Sequence, residues 1–321
     1  MNLKKKTIFI DGKEGTTGLR IYERLAARNG IDIELLTVEE AVRKDPENRR
    51  RLINASDIVF LCLPDDASRE SVALCENPDT VIIDSSTAYR TDPSWAYGFP
   101  ELSEHNKDNI KNGKRIAVPG CHASGFVSIV YPLVKEGIIS TDERFDCFSL
   151  TGYSGGGRKM ISQYESDMNK SNGMFSPRIY GLGQNHKHLK EMKAICGLSK
   201  NPLFLPIVDD YFSGMIVNVP LPDGISITKD ELRVFYSEYY KNSRIISVSN
   251  ENEHYSDGFI PANAFSGYDS MMICVTGSDN DDSRILISSI FDNLGKGASG
   301  AAVQCMNLSM GIDEAAGLKL I

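Results

Sequence analysis

The sequence predicts an α/β protein of two domains, the first a doubly wound parallel sheet and the second of mixed α+β type. Near-continuous apolar runs alternate with helical periodicities up to residue 120, the pattern of a parallel sheet covered on both faces. That order gives way to longer strand-rich segments after Cys121. Length agrees, because 321 residues exceed one core, and cores stop growing near ~250 to 300 residues.

The elements follow in order. Thr7–Asp11 (TIFID) is a strand ending in an acid, followed by a glycine-rich turn and a helix over Gly18–Arg28. Ile33–Val38 reads as a strand, Ala41–Ile53 as a helix and Ile58–Leu63 as a buried strand. A helix near Ser68–Cys75 and strands at Val81–Asp84 and Arg115–Val118 complete the first domain. Beyond Cys121 the pattern gives a helix over Phe126–Lys135 and strands at Phe145–Gly152, Met215–Val219 and Ser270–Thr276. Ser283–Leu294 reads as an amphipathic helix, Gly295–Gly300 as an interruption and Ala301–Met310 as a final helix.

Composition excludes several classes. With 41% hydrophobic and 24% charged residues, the chain is neither disordered nor fibrous. A net charge of -8 argues against a nucleic-acid partner, which excess Lys and Arg would hold. The short basic runs Lys4–Lys6 and Arg49–Arg51 read as solvated ends. No run approaches the ~18 apolar residues of a membrane span and no cleavage site follows the N-terminus, so no membrane partner and a cytoplasmic location are expected. Seven cysteines without a CxxC pair fit reduced thiols and no metal site.

Gly12, Gly15 and Gly18 stand at GxxGxxG spacing after the first strand. Such glycines let a backbone approach a pyrophosphate, which the helix N-terminus stabilises through free N–H groups, so a dinucleotide is expected. Its type stays open: Glu39 and Glu40 suit ribose hydroxyls, whereas Arg43 and Lys44 suit an added phosphate.

Cys121 lies in AVPGCHASG, after Pro-Gly and at the start of a helix. A thiol there faces unpaired N–H groups and the positive helix end, which favour the thiolate and can hold an oxyanion. The other six cysteines occupy apolar runs, helices or a pre-glycine position and read as inert. A proton partner is sought among five histidines. His186 and His188 are candidates; two apart on a helix they share no face, so at most one is expected to reach Cys121. His122 reads as an orienting or packing residue, and His105 and His254 as loop residues without a role. Tyr153–Lys159 (YSGGGRK) sets glycines before Arg158 and Lys159, and Arg90 follows DSST; both suit an anionic substrate.

With these segments assembled, the chain resembles the N-acetyl-gamma-glutamyl-phosphate reductases in their shorter form, within the group that includes aspartate-semialdehyde dehydrogenase. The marks are GKEGTTG at Gly12, DSSTAYR at Asp84, YGFPEL at Tyr97, PGCHASG at Pro119, YSGGGRK at Tyr153, HKHLKEM at His186 and NLGKGASGAAVQCMNL at Asn293. The resemblance implies a Rossmann-type domain over residues 1–120, completed by the C-terminal helix 296–321, and an inserted catalytic domain over 121–295. It implies NADP as cofactor, held by Gly12, Gly15, Thr16, Thr17, Gly18, Arg43, Lys44, Ser85, Gly297, Ala298, Ser299 and Gly300. Cys121 would be the nucleophile and His186 the acid/base, with Arg90, His122, Gly155, Arg158, Lys159 and His188 at the substrate. The implied activity, in arginine biosynthesis, is NADPH-dependent reduction of N-acetyl-gamma-glutamyl phosphate to the semialdehyde, releasing inorganic phosphate by way of a Cys121 thioester. A homo-oligomer is also implied. Two alternatives stand: the same chemistry on an aspartyl or aminoadipyl phosphate, and a non-catalytic NADP-binding sensor.

Overall fold

A computed structural model describes residues 5–166, 170–249, 258–278 and 284–321. Lys4, His254 and Ser283 lie outside them. Two compact units result, Met1–Pro119 with Ala298–Leu318, and Gly120–Gly297 with Lys319–Ile321.

The first unit contains β1 (Lys6–Asp11), α1 (Thr16–Ala26), β2 (Ile33–Leu36), α2 (Pro46–Ala55), β3 (Ile58–Leu61), α3 (Asp65–Ala73), β4 (Val81–Asp84), β5 (Ala96–Tyr97), α4 (Glu104–Asn112) and β6 (Arg115–Ala117). The strands pair in the order β2-β1-β3-β4-β6-β5, all parallel. Successive side chains point to opposite faces. Ile8, Ile10, Phe60 and Ile83 thus pack with Ala302 and Met306 of the C-terminal helix Gly300–Ser309, while Phe9, Val59, Leu61 and Ile82 pack with Leu52 and Ile53 of α2.

Three expectations fail here. The helix expected over Ala41–Ile53 is a short 3₁₀ turn, Glu40–Val42, followed by α2, because Pro46 starts a helix and cannot continue one. Asp45 caps α2 by accepting from the Asn48 N–H at 3.2 Å. Arg49 is not a solvated end: only 8% exposed, its Nε donates to Asp11 Oδ2 at 3.0 Å. Its partner lies 38 positions earlier, so no local pattern announces the burial. His105, expected in a loop, lies in α4.

The second unit contains α5 (Cys121–Lys135), β7 (Asp146–Gly152), α6 (Gly157–Glu165), β8 (Arg178–Ile179), α7 (Lys187–Cys196), β9 (Leu203–Asp209), β10 (Met215–Pro220), α8 (Lys229–Tyr239), β11 (Ile246–Val248), β12 (Met271–Gly277) and β13 (Ile285–Phe291). Its mixed sheet runs β11-β12-β13-β10-β7-β9-β8. The expected helix Ser283–Leu294 is therefore strand β13, antiparallel to β10 and β12. Almost every β13 side chain is buried, so the polar alternation that marks a strand is missing and the apolar spacing mimics a helix.

Helix α5 is apolar around most of its girth and packs on β10 and β13 so closely that a Cβ on Gly125 would lie 2.4 Å from Val217 Cγ2. Pro132 cannot donate to the Ser128 carbonyl four residues earlier. The Tyr240 hydroxyl donates to that oxygen instead, at 2.7 Å, and the Tyr236 hydroxyl serves Ile129 O at 2.7 Å. Among the described residues no helix is long and apolar enough to cross a membrane, and no group of three or more His, Cys, Asp or Glu is placed to hold a metal.

Candidate functional site

In the first unit a cavity of about 370 Å³ opens at the carboxyl end of β1, lined among others by Gly12, Lys13, Gly15, Leu35, Val38, Arg43 and Lys44. Gly12 has φ +87°, and a Cβ there would fall 2.4 Å from the Cys62 carbonyl oxygen. A Cβ on Gly18 would fall 2.4 Å from Gly12 O, so both glycines are needed for the tight turn. Gly15 is the N-cap of α1 and no side chain caps that helix, which leaves its first N–H groups for a ligand. Thr16 and Thr17 form the first turn. Glycine cradle, uncapped helix and three cations suit a dinucleotide pyrophosphate. Glu40 lines the cavity with Arg43, which it approaches to 3.7 Å, whereas Glu39 is not in the wall. Ser85 lies at the end of β4, its Oγ donating to Leu61 O at 2.9 Å.

In the second unit Cys121 is the first residue of α5, half-buried, with Gly120 as N-cap. The Gly120 N–H donates to Glu191 Oε1 at 2.8 Å, and this carboxylate is only 2% exposed. A Cβ on Gly297 would sit 3.0 Å from Cys121 Cβ and 3.1 Å from a Phe291 ring carbon. Gly297 belongs to a π-helical turn, Gly295–Ser299, of a kind that recurs at functional sites. Beyond it Ala298 is half-buried, and the Arg24 Nε donates to Ser299 Oγ at 3.2 Å within the first unit; Gly300 opens the last helix, α9 (Gly300–Ser309). Burial pushes the Cys274 thiol up to about 11 and raises Cys147 and Cys196 as well, so these stay protonated at neutral pH.

Three imidazoles cluster beside Cys121's neighbour. The His122 ring lies 5.8 Å from His186 and 5.5 Å from His188 between centroids, and the latter two are 4.7 Å apart. His186 precedes α7 as its N-cap, so helical rotation does not separate it from His188, and both rings pack against His122. His186 Nδ1 accepts the His188 N–H at 3.3 Å. Burial, then the charge of Lys187, holds His186 below its ordinary range. Burial, then His186, pushes His122 down to about 3, so it is neutral. His122 bridges Ser149 Oγ and the Tyr180 hydroxyl, each at 2.6 Å.

Tyr153–Gly156 forms a 3₁₀ turn before α6, pinned where Asn293 Nδ2 donates to Ser154 Oγ at 3.0 Å. Gly155, Arg158 and Lys159 are exposed at this turn and the helix start. Arg90 is buried, its Nε donating to Val118 O and its Nη2 to Ser85 O, both at 2.9 Å, so it ties together two loops of the first unit. Sequence reasoning missed Tyr180, Ser149 and Glu191. Glu191 lies in the HKHLKEM segment, but nothing local marks a tyrosine or serine whose partner is a histidine 58 or 27 positions away.

Residues 8–112 match the model of the semialdehyde dehydrogenase NAD binding domain, and residues 121–293 that of the semialdehyde dehydrogenase dimerisation domain. The chain is 41% identical to N-acetyl-gamma-glutamyl-phosphate reductase 2 of Nostoc sp., covering 98% of this chain and 100% of that one. It is 38% identical to the protein of the same name from Pseudomonas putida, over 97% and 98% of the two chains. In fold it is similar to aspartate semialdehyde dehydrogenase II from Vibrio cholerae, with TM-score 0.73 and 17% identity over 96% of this chain and 99% of that one. The Francisella tularensis aspartate semialdehyde dehydrogenase gives TM-score 0.69 and 16% identity over 94% and 99%.

Proposed function

The chain belongs to the semialdehyde dehydrogenase family, and from that premise we propose that it reduces N-acetyl-gamma-glutamyl phosphate to the semialdehyde with NADPH, releasing inorganic phosphate. The supporting observation is Cys121 as first residue of a buried helix whose next residue, His122, packs against His186 and His188. The Cys121 thiolate attacks the acyl carbon, the bond to phosphate oxygen breaks, and a thioester remains on sulfur. The nicotinamide cofactor, when bound, supplies the hydride. Oxyanion charge at the former carbonyl is held by the N–H groups of the first turn of α5. Reversal of the sulfur attack then frees the aldehyde.

Proton traffic is assigned to His186, with His188 and His122 at the substrate. Because His186 Nδ1 accepts a backbone N–H, the neutral ring carries its proton on Nε2. Protonation at Nδ1 requires release of that bond, which is weak at 3.3 Å. Arg158 and Lys159, exposed beside Gly155, together with Arg90, are assigned to the phosphate or carboxylate. Arg43 and Lys44 in the cavity wall favour a 2′-phosphate and hence NADP over NAD. Phe148 is 38% exposed on the mixed sheet, with Leu150, Leu205 and Ile207 half-buried on neighbouring positions; this face supports assembly with a second copy.

The test is the reverse reaction with purified protein, offered N-acetyl-glutamate, aspartate or aminoadipate semialdehyde with NADP or NAD. Phosphate-dependent turnover with the first semialdehyde, faster with NADP, is the expected result. Preference for another semialdehyde reassigns the substrate, and no turnover with any of them favours the sensor.

A further inference from the structure

Gln184 stands three residues after Gly181 in the exposed loop between β8 and α7, two positions before His186. Its φ is +50°, and every other described residue with positive φ is a glycine. Left-handed backbone is strained for a side chain as long as glutamine, whereas Gly or Asn would occupy it with little penalty. Residue choice here runs against the backbone. Strain of that kind persists where the surroundings hold it in place, and it gathers at functional sites.

What holds it is a reciprocal pair of hydrogen bonds. Gln184 Nε2 donates to the Phe204 carbonyl at 2.7 Å, and the Phe204 N–H donates to Gln184 Oε1 at 3.0 Å. Phe204 belongs to β9, whose pairing with β8 involves only Ile207 and Val208. The side-chain amide thus stands in for a strand neighbour where β8 has ended. Asparagine is one methylene shorter and glycine has no amide, so neither retains both bonds and the relaxed backbone together.

Phe204 in turn touches the imidazoles: its ring lies 5.2 Å from His122 and 5.3 Å from His186 between centroids. The same loop therefore has its exit at His186 and its anchor on the residue that packs against His186. We propose that Gln184 is a positioning residue, whose amide clamp on Phe204 fixes the His186 imidazole among His122, His188 and Tyr180. The assignment of proton transfer to His186 rests on the reading above; the placement of its ring does not.

Two readouts separate these. Gln184→Gly relaxes the backbone and deletes the clamp, and Gln184→Glu retains an acceptor for the Phe204 N–H while losing the donor. The titration of His186, followed by ¹⁵N-edited NMR on the full chain without substrate, reports the ring's surroundings: His122 from α5, Lys187 and His188 from α7, and Tyr180. In Gln184→Gly the His186 titration is expected to move up toward the ordinary histidine value as the ring gains water. kcat is expected to fall roughly ten-fold with the KM for NADPH unchanged, short of the ~100-fold that a full ångström of misplacement can cost. Gln184→Glu should lie between. An unshifted His186 titration in folded Gln184→Gly overturns the proposal, as does a shifted titration accompanied by wild-type kcat in an enzyme otherwise active. If the wild-type chain turns over nothing, the functional reading fails, while the titration still decides whether the clamp positions the ring.

Discussion

Helices α1 and α5 begin alike and end up in different surroundings. Each follows a strand and a glycine N-cap, and neither N-cap uses a side chain. At α1 the glycine turn opens into a cavity whose wall carries Lys13, Arg43 and Lys44. At α5 the helix carries a thiol on its first residue, the buried Glu191 carboxylate already occupies the N-cap N–H, and neutral imidazoles stand nearby. On the proposed reading, the same backbone dipole would serve binding in one region and nucleophile activation in the other. What decides between them is the set of side chains that tertiary packing brings to each helix start.

Paired glycine substitutions are the strongest way to break this contrast. Gly12→Ala places a Cβ 2.4 Å from a carbonyl oxygen at φ +87°. It should weaken NADPH binding by about 100-fold, ~2.7 kcal/mol, while iodoacetamide still modifies Cys121 at the wild-type rate. Gly297→Ala crowds Cys121 Cβ at 3.0 Å, where the neighbour has only to shift slightly. Slower modification of Cys121, by about ten-fold, is expected, with a smaller loss of cofactor affinity than in Gly12→Ala. Identical effects of the two on both measurements would erase the distinction.

The pH response sharpens it by a smaller amount. A histidine whose folded value is depressed binds its proton more readily when unfolded, so its contribution to stability is intact above the unfolded value and declines as pH falls. With His122 held at about 3, the window runs from ~6.5 downward, at about 1.4 kcal/mol per pH unit. Wild-type protein should lose stability between pH 6.5 and 5 faster than His122→Asn, measured as the difference in urea midpoints. Parallel curves would mean that His122 is already solvated and charged in the folded chain.

The two regions were also unequally legible. The strands and glycines of the first unit are local signals, since Ile8, Val59 and Ile82 lie in continuous apolar runs separated by helical spacing. Arg49 escaped because its partner Asp11 is remote in sequence, and Pro46 was overridden by the periodicity around it. In the second unit Cys121 was legible from Pro-Gly and the small residues after it. The company it keeps was not: Ser149, Tyr180 and Glu191 come from β7, the loop after β8 and α7, joined only by folding. β13 was misread because Ile287, Ile290, Phe291 and Leu294 repeat at helical spacing while their burial comes from two covering faces. That His186 caps α7 rather than lying within it was not legible either, because the HKHLKE run carries no marker of where its helix begins.

The central claim is a covalent thioester at the start of α5. Acyl phosphate mixed with the enzyme in the absence of NADPH, quenched in acid and digested, should yield an acyl mass increment on the peptide containing Cys121, with release of one phosphate per site. Cys121→Ala should show neither and should still bind cofactor. Phosphate release without that adduct, or an adduct on another residue, would contradict the account.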